Sequence, residues 1–419
     1  MSADNSKILV VGGGMSGLTA AIEAAEAGAQ VIITEKAPYL GGRVAQLHRY
    51  FPKLCPPTCG LEIQFRRIRE NPRITFHTMA EVTQVSGSAG EFEVTVQVQP
   101  RYVNDRCVAC HACAEACPAW RVNDFNYGLD KTKAAYLPYD LAFPQKYVID
   151  ASVCTGDCGQ KCAEACQYEA IDLNMQPQTL TYQVGAIVLA GGWELYDVSK
   201  VETLGAGQVK NVITNMQMER LAAANGPTGG KILRPSDNQP PKKVAFVQCA
   251  GSRDENHLPY CSYICCMASL KQATYLREQN PESEATVFYI DLRTPGRYEQ
   301  FMWKVRDDEG VNLIRGKVAK LEQQPGTDNV VATVEDTVNG RKLKETFDMV
   351  VLAAGMVPTT KNSPFPLPLS YTPEGFVIPE LLPDGVFAVA SMKSPLDVMK
   401  SNEDATGAAL KSLISLSRR

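Results

Sequence analysis

Histidine and tryptophan are scarce, at 4 and 3 residues in a chain of 419. The histidines (His48, His77, His111, His257) are scattered, and none is assigned a role. No excess of positive charge is present either. Lys and Arg number 42 against 46 Asp and Glu, for a net charge of -4, so there is no basic face for a phosphate backbone and nucleic acid is excluded as a partner. Long apolar runs are missing. Runs such as Met349 to Ala354 and Ala186 to Ala190 fall far short of the roughly 20 residues that cross a bilayer. No direct membrane span is expected. The first residues pass straight into an apolar strand without a basic leader, apolar stretch and cleavage site, and the expectation is a cytoplasmic, reducing setting. The length predicts two or three domains, and 21% charged against 45% hydrophobic residues is a globular balance.

Cysteine, by contrast, is abundant. Fourteen is a high count where disulfides seldom persist, and metal ligation is the first chemistry to test. They fall in four groups. Cys107, Cys110, Cys113 and Cys117 read C-x-x-C-x-x-C-x-x-x-C and precede Pro118, the run by which bacterial ferredoxins hold a 4Fe-4S cluster; a zinc site would need two separated pairs. Cys154, Cys158, Cys162 and Cys166 repeat the theme with three C-x-x-x-C gaps and Gln167 in place of proline. This predicts a second cluster, the widened spacing leaving room for a distorted or lost one. The ferredoxin arrangement implies a crossover, with Cys107, Cys110, Cys113 and Cys166 on one cluster and Cys117, Cys154, Cys158 and Cys162 on the other. Cys249, Cys261, Cys265 and Cys266 end a strand and open a helix, where the helix N-terminus favours a negative centre; a third cluster is expected there, against the alternative of buried packing thiols. Cys55 and Cys59, among Pro52, Pro56 and Pro57, are open to three readings: a redox dithiol, spare ligands or packing.

At the N-terminus the apolar strand Lys7 to Val11 runs into Gly12-Gly13-Gly14-Met15-Ser16-Gly17 and an alanine-rich helix. In this G-x-G-x-x-G context Gly12 permits the turn, Gly14 admits a pyrophosphate, and Gly17 allows close helix-to-strand packing. Glu35 closes the second strand where an acid binds a ribose hydroxyl. FAD or NAD fits such a turn, and the distal pieces favour FAD. Pro38-Tyr39-Leu40-Gly41-Gly42-Arg43 resembles the segment of two-dinucleotide-binding flavoproteins that passes along the isoalloxazine. The strands ending in Gly191-Gly192 and Gly355 look like that family's return strands. Asp384 to Ser391 resembles its closing flavin motif, with Ala390 and Ser391 where the family carries Gly-Asp, so the ribityl contact is expected to be weakened or rerouted. The flavin-contacting candidates are therefore Gly12, Gly14, Gly17, Glu35, Gly42, Arg43, Gly191, Gly355 and Ser391.

From Lys243 to about Lys320 a second strand–helix–strand pattern occupies the place where thioredoxin-reductase-like proteins bind NADPH. Its first turn, Cys249-Ala250-Gly251-Ser252-Arg253, has one glycine rather than three. The phosphate cradle has given way to thiols.

Taken in order, these motifs resemble the A subunits of heterodisulfide reductases and, more closely, the A subunits of quinone-interacting membrane-bound oxidoreductase complexes. The stretches 51–65, 215–221 and 247–261 carry that resemblance. It implies an electron-transfer oxidoreductase subunit with FAD and two to three 4Fe-4S clusters. The implied partners are a second iron-sulfur flavoprotein subunit, a haem-bearing membrane subunit that meets the quinone, and adenylylsulfate reductase in dissimilatory sulfur metabolism. The chain would then be cytoplasmic and attached to the membrane through a partner. The expected fold is α/β, a thioredoxin-reductase-like flavoprotein with two dinucleotide-binding domains. Its FAD domain is expected to be discontinuous (1–99, 172–240, 346–419), with a ferredoxin-like insert at 100–171 and a nicotinamide-domain relic at 241–345. The rivals are an NAD(P)H-dependent disulfide or ferredoxin oxidoreductase and a redox-inert docking scaffold.

Overall fold

Five runs of apolar, largely β-branched residues form the first parallel sheet, in the order Val386–Ala388, Ala186–Leu189, Lys7–Val11, Gln30–Glu35, Ile74–Thr78. The computed structural model describes residues 7–154 and 158–417. The six residues before Lys7 and the spacer 155–157 within the second ferredoxin-type cysteine run lie outside the described residues. The sheet is covered on both faces, as a parallel sheet requires. Ile8, Val10, Val31, Ile33, Ala186 and Val188 pack on the Met15–Glu26 and Val398–Ser417 helices, whose facing residues include Leu18, Ala21, Ala25, Ala405, Ala408 and Ala409. Leu9, Ile32, Ile187 and Leu189 point the other way, onto a three-stranded antiparallel sheet. The period of two divides the strands between two cores. The C-terminal helix begins at Val398.

The antiparallel sheet joins Ala80–Ser86, Phe92–Val98 and Gln178–Val184. Val98 and Gln178 are cross-strand partners, and everything between them forms the insert. It holds two two-stranded sheets and the short helices Ala112–Ala116 and Cys158–Glu164. Its core is Val103, Cys113, Cys117, Ala134, Ala135, Tyr147, Ile149, Cys162 and Ala170. Three of these are thiols and three are alanines, too little apolar bulk for a segment this small to stand without a staple. Arg101 ties the insert to the loop at Pro38 and to the end of the Ile74–Thr78 strand. Its buried guanidinium donates to the carbonyl oxygens of Pro38, Lys146 (3.1 Å) and Tyr147 (3.4 Å) and to Thr78 Oγ1 (2.9 Å). Burial pulls its pKa down to about 10.

A second compact unit comprises residues 194–357 and 395–397, the first holding the rest. Its seven-stranded sheet runs Val212–Thr214, Met349–Ala354, Lys243–Ala250, Glu284–Tyr289, Val311–Gln323, Val330–Asp336, Arg341–Phe347. The first five strands are parallel and the last three form an antiparallel meander. The division departs from the sequence expectation. Residues 194–240 and 346–357, expected in the FAD domain, lie in this second unit, because Val212–Thr214 pairs with Met349–Ala354 and that strand with Lys243–Ala250. The Asn215–Ala222 helix is fixed by a capping box between Thr214 and Gln217. Its buried Glu219 pairs with Lys271 at 3.2 Å and accepts from Gln272 Nε2 at 2.7 Å. An ion pair removed from water needs such added hydrogen bonds.

Candidate functional site: a dinucleotide turn and the thiol groups

The first turn is built by glycine. Gly12 has φ +110°, and a Cβ there would sit 2.2 Å from Ala190 O; one on Gly17 would sit 1.8 Å from Gly12 O. These two are dictated by the protein's own packing. Gly14 is different: the nearest heavy atom to an added Cβ is Gly42 Cα at 3.9 Å, so the space beside it is open. Gly14 is the N-cap of the Met15–Glu26 helix and offers no side-chain cap, which leaves the helix N-terminus free to receive an anion. Glu35 stands beside it, accepting from the N–H groups of Gly13 and Ala37 at 2.7 Å each. Burial raises its pKa, against those hydrogen bonds and the charge of Arg43.

The Leu40–Gly42 segment lies backbone on backbone with the turn. Gly41 N–H donates to Gly13 O at 2.8 Å, and a Cβ on Gly42 would come within 2.9 Å of Gly14 Cα. Arg43 donates to Trp193 O (3.2 Å) and Tyr127 OH (3.3 Å), its guanidinium 5.8 Å from each ring centre. Gly191 N–H meets Met392 Sδ at 2.9 Å. Beside buried Ser391, Ala390 (φ +54°) donates its N–H to Asp404 Oδ2 at 2.6 Å, and Lys393 reaches Asp404 Oδ1 at 2.5 Å. An acid does reach the Ala390-Ser391 pair, and it comes from the last helix. Sequence reading missed Asp404 and Lys393 because their meeting needs that helix to fold back. Gly355, also expected along the flavin, lies in the second unit, where a Cβ would meet Ser252 Oγ at 2.4 Å and Ser262 Oγ at 2.6 Å.

In the insert, Cys107, Cys110, Cys113 and Cys166 line one recess together with Val103, Val108, Tyr147, Tyr168 and Ile171. Burial, then the thiols of Cys107, Cys166 and Cys110, push Cys113 up to about 12. The other four insert thiols interact among themselves. Cys162 is pushed up to about 12 by burial and then by Cys117, and Cys154 up to about 11 by burial and its hydrogen bond with Cys158. Cys117 moves down: burial opposes, but hydrogen bonds from the backbone of Ala135, Ala119 and Ala134 and from Cys162 outweigh it. The structure thus places Cys166 beside the first three thiols and Cys162 beside Cys117, with Cys162 Sγ also 3.5 Å from Cys113 O. Among the described residues no three His, Cys, Asp or Glu side chains gather as around one ion; a four-iron cube instead takes each thiolate on a separate iron.

The fourth thiol set sits at the end of the Lys243–Ala250 strand and the start of the Cys265–Gln279 helix. Cys249 and Tyr263 adopt positive φ (+56° and +64°), turning the chain sharply on either side of the loop. Cys265 is pushed well above the ordinary thiol range by burial, then by Cys266, Cys249 and Cys261, so the four converge. Gln248, buried next to Cys249, has neither amide atom partnered among the described residues, an unmet polar demand that a further group would satisfy. The nicotinamide-type cradle is filled. A Cβ on Gly251 would touch the Tyr196 ring at 2.5 Å, and Ser252 and Ser262 close on each other at 2.9 Å. Cys55 and Cys59 stand apart, half-buried and exposed respectively, at the entry to the Pro57–Glu70 helix. Tyr50 beside them has its hydroxyl raised by burial, then by these two thiols.

Residues 7–98 match the FAD dependent oxidoreductase family. The chain is 39% identical to one of the iron-sulfur A subunits of CoB–CoM heterodisulfide reductase from Methanopyrus kandleri, over 98% of this chain and 64% of that protein. Identity to the A subunit of the H(2):CoB-CoM heterodisulfide,ferredoxin reductase of Methanothermobacter marburgensis is 36%, over 98% and 64%. Its homologues are heterodisulfide reductase A subunits. The chain spans less than two thirds of the length of these relatives. Among solved structures, thioredoxin reductases from T. acidophilum (TM-score 0.51, 14% identity, 98% of this chain and 96% of that one) and Lactococcus lactis (0.52, 12%, 99% and 99%) share its fold. The α/β, thioredoxin-reductase-like expectation is met. No helix among the described residues is long and apolar enough to cross a membrane.

Proposed function

We propose that this chain is an iron-sulfur flavoprotein electron relay of the heterodisulfide reductase A type. Its FAD would rest on the Gly12–Gly17 turn, with Glu35 toward the ribose and Gly42, Arg43, Gly191 and Ser391 along the remainder. Its clusters would be held by Cys107, Cys110, Cys113 and Cys166, by Cys117, Cys154, Cys158 and Cys162, and by Cys249, Cys261, Cys265 and Cys266. The observation that carries this reading is the gathering of Cys107, Cys110, Cys113 and Cys166 around one recess although Cys166 is distant in sequence. FAD, when bound, exchanges electrons singly or in pairs. The chain's own residues then fix the ring's surroundings, and the thiols divide among three centres.

In its finer form the proposal connects two companions, a second iron-sulfur flavoprotein and a haem-bearing, quinone-reactive membrane subunit, to adenylylsulfate reductase in dissimilatory sulfur metabolism, with the chain attached to the membrane through its partner. The filled cradle at Gly251, Ser252 and Ser262 argues against reduction by NADH or NADPH. Anaerobic purification from the native host tests both levels. About 8–12 irons per FAD and co-purifying partners of those kinds are expected; iron-poor protein, or flavin turned over by NADH, would overturn the relay. Clusters that never change state in a redox titration would favour the inert scaffold.

A further inference from the structure

Ligation leaves two arginines at the fourth thiol set unexplained. Arg253 follows Cys249 by four residues, and both have left-handed backbone (φ +57° and +56°). The tight path returns the guanidinium toward Cys249, and its charge draws that thiol's pKa down against the burial that raises it. Its other side is gripped by the Asp291 carboxylate. Asp291 lies just beyond the Glu284–Tyr289 strand, and its carbonyl oxygen faces Cys266 Sγ at 3.7 Å. Arg293 sets its guanidinium 3.8 Å from Asp291 Oδ1, and its backbone and charge both pull the Cys266 thiol down against burial. Positive charge therefore stands at Cys249, while at Cys266 the Asp291 carboxylate outweighs the charge of Arg293. Asp291 holds Arg253 in place although nothing in the cysteine spacing requires it.

A thiolate-ligated cluster gains one electron, and hence one negative charge, when reduced. A cation and a hydrogen bond at a ligand sulfur stabilise that added charge. We infer that Arg253, anchored by Asp291, is a positioning residue that raises the reduction potential of the centre held by Cys249, Cys261, Cys265 and Cys266. The inference rests on the cluster reading proposed above.

The test is potentiometric titration of the anaerobic holoprotein by a one-electron reductant, followed by electron paramagnetic resonance. Cys265→Ser identifies the signal of this centre by deleting it; if no signal disappears, the cluster reading itself fails. In Arg253→Gln that signal is expected to persist at unchanged iron content. Its midpoint falls by the equivalent of about tenfold in the reduction equilibrium, or ~59 mV for one electron, while the other signals stay put. Arg253→Lys, which restores the charge without the planar fork, recovers at least half of the shift. An unmoved midpoint in Arg253→Gln, or an equal shift in Arg253→Lys, overturns the tuning role. A glutamine variant that loses the iron outright also overturns it and assigns Arg253 to assembly.

Discussion

Gly14 and Gly17 lie three residues apart in one turn and answer to different demands. At Gly14 an added side chain meets open space, with Gly42 Cα 3.9 Å away; at Gly17 it meets Gly12 O at 1.8 Å. Gly14→Val should therefore fold normally and come out without flavin, as read from the absorbance of released FAD; normal flavin content would refute the placement. Gly17→Ala should instead destabilise the flavin domain by about 1–3 kcal/mol through overpacking, seen as an earlier denaturation midpoint. Both glycines were legible in the sequence because strand, turn and helix each carry a local signal. Asp404 was not, since its contact with Ala390 N–H depends on a helix returning from the far end of the chain.

Elements carry the thiols as sets. The Cys265–Gln279 helix belongs to the second unit and the dinucleotide turn to the first, so Cys265→Ser should remove one cluster's worth of iron while leaving FAD in place. Parallel loss of iron and flavin, measured on the same sample, would contradict that. In the first unit, His77 on the Ile74–Thr78 strand meets Tyr182 OH at 2.7 Å, and burial lowers its pKa. Its folded value lies below the unfolded one, about 6.5. The neutral ring's contribution is full above that pH and is lost as pH falls through the native value. Melting curves from pH 7.5 down to 5 should show the parent losing more stability than His77→Gln; identical slopes would rule the histidine out. The strands themselves were readable from apolar runs. The pairing of Val212–Thr214 with Met349–Ala354 was not, because contact between segments so distant in sequence leaves no local pattern, and the domain boundary at 240 moved to 193 as a result.

Across the first unit, the insert is legible from cysteine spacing alone, yet its attachment is not: Arg101 reads as any arginine until its guanidinium is found among Pro38, Thr78, Lys146 and Tyr147. Arg101→Met leaves several carbonyl oxygens without a donor, a cost of about 2 kcal/mol, or roughly thirtyfold more frequent local opening. Limited proteolysis should then cut near the insert's edge correspondingly faster, and parental cleavage rates would show that the docking rests elsewhere. The Val98–Gln178 rung has a consequence for dissection. The two ends of the excursion are already neighbours on adjacent strands, so an Asn-Gly reverse turn of the kind that closes two-residue hairpins would join them, but removing 99–177 also strips Phe125, Tyr139 and Phe143 from the core under the dinucleotide turn. The cassette is thus continuous with the strands at its ends and with the core beneath them, and cutting it out trades the loss of eight thiols for an uncovered apolar face.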